Sequence, residues 1–152
     1  MKYIAHRGNM TGPSVMENHP DHIREALDAG FDVEVDVWLI DGDLCFGHDE
    51  PQYPAHITVL NNRYWLHCKN LEALKFFGGI EINEANVFWH ENDDFTLTNK
   101  KYIWTNIDKE LTSRSVMVMP ELAHDNWLLY TTKAKCYGIC SDFVQYIKEE
   151  RA

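Results

Sequence analysis

The sequence predicts an α/β domain, on three observations. Short strand-like runs recur along the whole chain, and eight can be counted between Tyr3 and Ser141. A clear amphipathic helix separates the first two. Two of the runs place apolar side chains on one face and ionisable ones on the other. That pattern suits strands covered by helices on one side and lining a polar mouth on the other.

Tyr3–His6 reads as a short strand ending in the polar turn Arg7-Gly8-Asn9. Glu17–Gly30 reads as a helix. Pro20 suits its first turn, where a missing N–H costs nothing. Ile23, Ala26 and Leu27 form its apolar stripe, and Gly30 is its stop. Asp32–Leu39 alternates strictly between acidic or polar and apolar residues, a strand of period two. Asp41-Gly42 then predicts a tight turn and a hairpin with Asp43–His48. Tyr64–Lys69 is the next strand. Asn70 caps a short helix through Leu71, Leu74 and Phe77 that stops at Gly78-Gly79. Five further strands are expected at Gly79–Ile82, Val87–His90, Tyr102–Thr105, Ser115–Met119 and Gly138–Ser141. Helices are expected near His124–Leu129 and Phe143–Lys148.

No linker or low-complexity run divides the 152 residues, so 1–152 reads as one domain. With 24 acidic and 14 basic side chains, the net charge is −10. Such a chain repels nucleic acid and anionic membrane, and neither is expected as a partner. No window approaches the roughly 18 apolar residues of a membrane span, so no membrane insertion is expected. The N-terminus has no apolar core followed by a cleavage site. The four cysteines form no Cys-x-x-Cys pair. A cytoplasmic protein with reduced thiols is therefore expected.

The Asp32–Leu39 run points to chemistry. Its apolar face is Val33, Val35, Val37 and Leu39, and its other face carries Asp32, Glu34, Asp36 and Trp38. Glu34 and Asp36 fall on one side about 7 Å apart along the strand. A solvated acidic face produces the same alternation. Two like charges this close otherwise require a proton or a counter-ion, and a divalent metal is the usual answer. The Tyr64–Lys69 run repeats the pattern, with Trp65, His67 and Lys69 opposite Leu66 and Cys68. His6 and His48 each sit at a strand-to-loop junction beside a charged neighbour. Facing each other across a site, they could serve in turn as general base and general acid. His90, after the Val87 strand, is either a mouth residue or the start of a solvated loop.

In order and spacing, His6-Arg7-Gly8, Glu17-Asn18, Ala26 through Gly30, Glu34-x-Asp36, Asp41-Gly42 and His48-Asp49 resemble the N-terminal signature of glycerophosphodiester phosphodiesterases. The rest of the chain resembles that family more loosely. Trp65–Lys69 is similar to its Glu-x-Lys strand, Ile103–Asn106 to its late Trp-Thr strand, and Gly138–Asp142 to its closing strand. The resemblance implies hydrolysis of a small glycerophosphodiester, a reaction of lipid metabolism, on a phospholipase-C-like barrel. It implies Mg²⁺ or Ca²⁺ held by Glu34, Asp36 and a third ligand, with His6 and His48 as the proton-transfer pair. Arg7 and Lys69 would offset the phosphate charge. Glu17, Asn18 and Trp104 would lie around the pocket, with His90 at its mouth.

The chain departs from the family at the third ligand, where a carboxylate is replaced by His67. Imidazole suits Mn²⁺ or Zn²⁺ better than Ca²⁺, unless Glu91, His90 or Glu121 takes over. Two alternatives keep the resemblance: a phosphodiester lyase that releases a cyclic phosphate, and a non-catalytic barrel that binds a phosphorylated ligand. A complete barrel typically takes roughly 250 residues. Eight strands in this chain leave under about 20 residues per unit. The expected fold is therefore a miniature (β/α)8-type TIM barrel with several helices shortened or replaced by loops. Its thinly covered apolar exterior favours a homodimer.

Overall fold

The computed structural model describes residues 1–56, 61–81, 84–123 and 125–152. Strand β1 (Lys2–His6) runs into a left-handed turn at Arg7 and Gly8, with φ 53° and 87°. Helix α1 (Pro20–Asp28) follows, with Pro20 in its first turn and Ile23 and Ala26 buried. Its N-cap is His19, whose ring accepts the Asp21 N–H. Strand β2 (Asp32–Ile40) folds back through Asp41 and Gly42 into β3 (Asp43–Phe46), the hairpin the sequence predicts. Both turn residues have positive φ, 50° and 89°, as a two-residue hairpin turn requires. β4 (Tyr53–Pro54) adds a short antiparallel edge to β3.

Strand β5 (Tyr64–Cys68) leads into α2 (Leu71–Gly79), capped by the Asn70 side chain on the Ala73 N–H at 3.1 Å. The remaining elements are β6 (Asn86–Phe88), β7 (Phe95–Leu97), β8 (Ile103–Thr105) and β9 (Ser115–Val118). A 3-10 turn (Pro120–Leu122), α3 (Trp127–Lys133), β10 (Gly138–Ser141) and α4 (Val144–Glu150) complete the chain. Two expectations shift. The run expected as a strand from Gly79 instead ends α2, while Ile82 lies outside the described residues. The helix expected near His124–Leu129 starts at Trp127, and His124 lies outside the described residues.

All ten strands join one mixed sheet. Seven run parallel in the order β6-β5-β2-β1-β10-β9-β8, while β3, β4 and β7 pair antiparallel with β2, β3 and β8. The expected (β/α)8-type barrel is therefore corrected. The molecule is a mixed-sheet half-barrel, mostly β, with four short helices among the described residues. The reason lies in the connections. A parallel return through a helix needs roughly a dozen residues or more. After β6 the chain turns back as β7, and residues 106–114 reach β9 without a helix. No strand pairing joins β6 to β8 among the described residues.

Asn99 hydrogen-bonds across the gap between β6 and the β7–β8 hairpin. Asn99 donates its backbone N–H to the Val87 carbonyl (3.0 Å). Its side chain accepts the Val87 N–H (2.8 Å) and donates to the Ala85 carbonyl (3.2 Å). Asn99→Ala removes the acceptor of the Val87 N–H and a donor to the Ala85 carbonyl. It is expected to cost about 2 kcal/mol in urea unfolding; a loss below about 0.5 kcal/mol would mean that water replaces both bonds.

The sheet separates two kinds of packing, as the alternation in β2 and β5 predicts. Val33, Val35, Val37, Leu66 and Cys68 pack with Ile23 and Ala26 of α1 and Ala73 and Phe77 of α2. On the other face, Ile4, Trp65, Phe88, Trp104, Val116 and Cys140, from six strands, form one cluster. Above it, at the C-terminal ends of the parallel strands, the side chains become ionisable. The four cysteines are free. Among the described residues, no helix is long and apolar enough to cross a membrane.

Candidate functional site

Parallel pairing of β1, β2 and β5 puts His6 opposite Glu34, and Asp36 opposite His67. The three strands therefore deliver His6, Glu34, His67 and Lys69 to one pocket of about 350 Å³, with Asp36 fully buried behind its wall. Arg7, His48, His90 and Trp104 also line it. Glu17 and Asn18 also stand behind its wall: Glu17 holds Arg7, which lines the pocket, and Asn18 holds Asp36.

Glu34 and Asp36 are both buried, at 1% and 0% exposure, so their charges are not dispersed into water. With the His67 ring, they offer three ligand atoms within 4.8 Å of one another. His67 Nε2 lies 2.9 Å from the carbonyl oxygen of His90, which can only accept, so Nε2 carries hydrogen. Its Nδ1 is 3.1 Å from Asp36 Oδ1 and 3.8 Å from Glu34 Oε1. A bare lone pair there would face two carboxylates. A proton on Nδ1 or a cation among the three groups resolves the conflict. Asp36 Oδ1 has no hydrogen-bond donor among the described residues.

This donor set fits a divalent cation. A ring fixed through its far nitrogen to a backbone carbonyl is the usual support for a metal-binding histidine. Two carboxylates and an imidazole suit Mn²⁺ or Zn²⁺ and accommodate Mg²⁺. Ca²⁺ favours an all-oxygen shell.

The Asn18 amide holds Asp36 from two sides. It accepts the Asp36 backbone N–H (3.0 Å) and donates to Oδ2 (2.9 Å). Asn18 adopts φ 62°, a left-handed conformation asparagine tolerates. Burial acts to raise the Asp36 pKa, but the His67 ring, Arg7 and Asn18 outweigh it and hold the carboxyl down at about 2. Glu34 moves the other way: burial, then repulsion by Asp36, pushes its carboxyl above the usual range against the pull of His6, His67 and Arg7.

Arg7 is committed within the protein. Nη1 donates to Glu17 at 3.0 Å, Nε lies 3.1 Å from Asp36 Oδ2, and the backbone N–H donates to Glu34 at 3.2 Å. Lys69 Nζ is 3.9 Å from Asp36 Oδ1 and is the looser of the two cations. Trp104 is buried beneath the pocket, its ring 4.4 Å from Phe88 and 6.1 Å from Trp65. His90 Nδ1 faces Thr96 Oγ1 at 3.2 Å. Burial, with the positive neighbours His67 and Lys69, holds its pKa below the usual histidine value.

The two proton-carrier candidates differ. His6 is largely buried, and Asp142 Oδ1 accepts from its Nδ1 at 2.8 Å. That bond turns Nε2 toward Glu34, 3.8 Å away. Burial works to lower its pKa, but the Asp142 bond and the Glu34 charge outweigh it and shift it upward. His48 is half-exposed and paired with Asp49 at 2.8 Å. Its approach is fixed by Gly47, whose N–H donates to the Asp36 carbonyl and whose carbonyl accepts the Trp38 indole at 2.6 Å. A Cβ on Gly47 would meet the Glu50 carbonyl oxygen at 1.9 Å, so only glycine fits.

Sequence reading missed Asp142 and Asn9. Asn9 donates to both Glu17 (2.9 Å) and Asp142 (2.8 Å). The signal for Asp142 was an acid directly after the last strand, which becomes meaningful once β10 lies beside β1. Glu121, considered as a substitute ligand, instead accepts from Ser141 and Asp142 and lies outside the carboxylate–histidine cluster. No family model, curated protein or solved structure matches the chain.

Proposed function

We propose that this chain is a metal-dependent phosphoric diester hydrolase, similar to the glycerophosphodiester phosphodiesterases, acting on a small glycerophosphodiester-type substrate. One observation carries the reading. Glu34, Asp36 and His67 Nδ1 converge on a point that demands positive charge, beside a histidine that a carboxylate already orients. A structural ion-pair network explains the first half but gives no reason for a carboxylate-oriented His6 at the same pocket.

A divalent cation bound by Glu34, Asp36 and His67 would supply charge to offset the phosphoryl oxygens. Lys69 adds a cation at the same wall, and Arg7, braced by Glu17, adds a second. His6, with Nδ1–H held by Asp142, presents the Nε2 lone pair and can take the proton of an attacking water or hydroxyl. His48, which lines the same pocket just after β3, would return a proton to the departing alcohol oxygen. The charged walls, the aromatic floor and the 350 Å³ volume suit a headgroup-sized ester.

The test is a panel of glycerophosphodiesters assayed with Mg²⁺, Ca²⁺, Mn²⁺ and Zn²⁺, read by phosphorus NMR. A phosphomonoester product that appears only with added cation and disappears with EDTA supports the proposal. A cyclic phosphate product would instead identify a lyase. No turnover with any cation would overturn the enzymatic reading.

A further inference from the structure

We propose that Glu121 is a positioning residue for His6, acting through Ser141 and Asp142. The inference rests on the reading of His6 as a proton carrier and goes one layer behind it. Met119, directly after β9, adopts a left-handed φ of 47° and starts the 3-10 turn that brings Glu121 back against the end of β10. There the Glu121 carboxylate accepts from two donors. The Ser141 hydroxyl lies 2.9 Å from each oxygen, and the Asp142 backbone N–H donates to Oε1 at 2.9 Å.

The Asp142 N–H is the first donor beyond the β10 ladder, and without Glu121 it would lack a partner there. The Asp142 carbonyl is fixed separately, by the Gly12 N–H at 2.8 Å. The backbone of Asp142 is thus clamped on both sides, and its carboxylate is left to hold His6 and Asn9. Ser141 passes the constraint onward by accepting the Phe143 N–H at 2.9 Å. Glu121 touches neither His6 nor the pocket, so its influence on the ring runs through Asp142.

A carboxylate that orients an orienting carboxylate is costly, because two anions are brought together. The Asp142 charge adds to burial in pushing the Glu121 pKa up. The Ser141 hydroxyl and the Asp142 N–H offset that cost at Glu121, and His6 and Asn9 offset it at Asp142.

The experiment compares wild type, Glu121→Ala, Glu121→Gln and Ser141→Ala, with folding checked by circular dichroism. The ring-nitrogen shifts of His6 report its tautomer. Mn²⁺ affinity is measured by titration, and kcat and KM on the best substrate of the panel. In Glu121→Ala, His6 is expected to change from one tautomer to a mixture and kcat to fall roughly tenfold to thirtyfold. KM and Mn²⁺ affinity should stay within about twofold. Glu121→Gln keeps an acceptor for the Asp142 N–H and should restore most of both. An unchanged His6 tautomer in folded Glu121→Ala overturns the proposal, as does an equal loss of Mn²⁺ affinity. Should the wild type turn over no diester, the hydrolase reading fails, while the tautomer shift still decides whether Glu121 positions His6.

Discussion

His6→Ala is expected to lower phosphodiester turnover by at least about a hundredfold, with KM changed far less. The ring is held by Asp142 at Nδ1 and directs Nε2 into the pocket, so its removal takes away a proton acceptor already in position. Alanine also leaves the buried Asp142 with only Asn9 as a side-chain partner. His6→Gln is the control for that loss, since its amide can donate to Asp142 but cannot carry the proton. Both variants should be equally slow. His48→Ala should cost at least about a hundredfold as well, if it protonates the leaving alcohol. Full activity in both the His6→Ala and His48→Ala variants would show that the histidines serve no proton transfer.

Glu34→Gln should abolish the cation-dependent activity and at the same time make the cation-free protein more stable. Glu34 is buried at 1% exposure, and burial and Asp36 together raise its carboxyl pKa above the ordinary value. The sign follows from linkage. A carboxyl whose folded pKa is raised favours folding when protonated and opposes it once pH rises past the unfolded and then the folded value. At neutral pH the neutral amide removes that opposition, while its oxygen can still accept the Arg7 N–H. The melting temperature without metal should rise. Wild type should gain about 2.7 kcal/mol from cation at a hundred times its Kd, and the variant almost nothing. An equal thermal gain in both would place the cation elsewhere.

Much of this site was legible in residue order. Strict alternation in β2 identified Glu34 and Asp36 as neighbours on the face away from the helices, and the hairpin turn located His48. Arg7 was expected only as a partner of the phosphate, and its approach to Asp36 was not foreseen. What period and turn chemistry do not encode is pairing between distant segments. Asp142 becomes a site residue only because β10 lies against β1, and Asn9 only because the turn after β1 folds back to meet both Glu17 and Asp142. The fold prediction failed for a related reason. Counting strands gave nearly the right number, but the sequence does not show that Phe95–Leu97 runs antiparallel to its neighbour. Nor does it show that β6 meets the following hairpin through Asn99 instead of through another strand.

The position of β1 also governs how the molecule is made. β1 lies between β2, which is translated soon after it, and β10, which is translated much later. His6 and Asp142 are 136 positions apart in the chain. A nascent chain that has not yet delivered Gly138–Ser141 carries β1 with one bare edge and His6 without its carboxylate. Pairing at such long range is slow, and an open edge in the meantime invites strand addition from other chains. The His6–Asp142 pair thus forms late, and every residue from β1 through Asp142 must be present before His6 has its carboxylate.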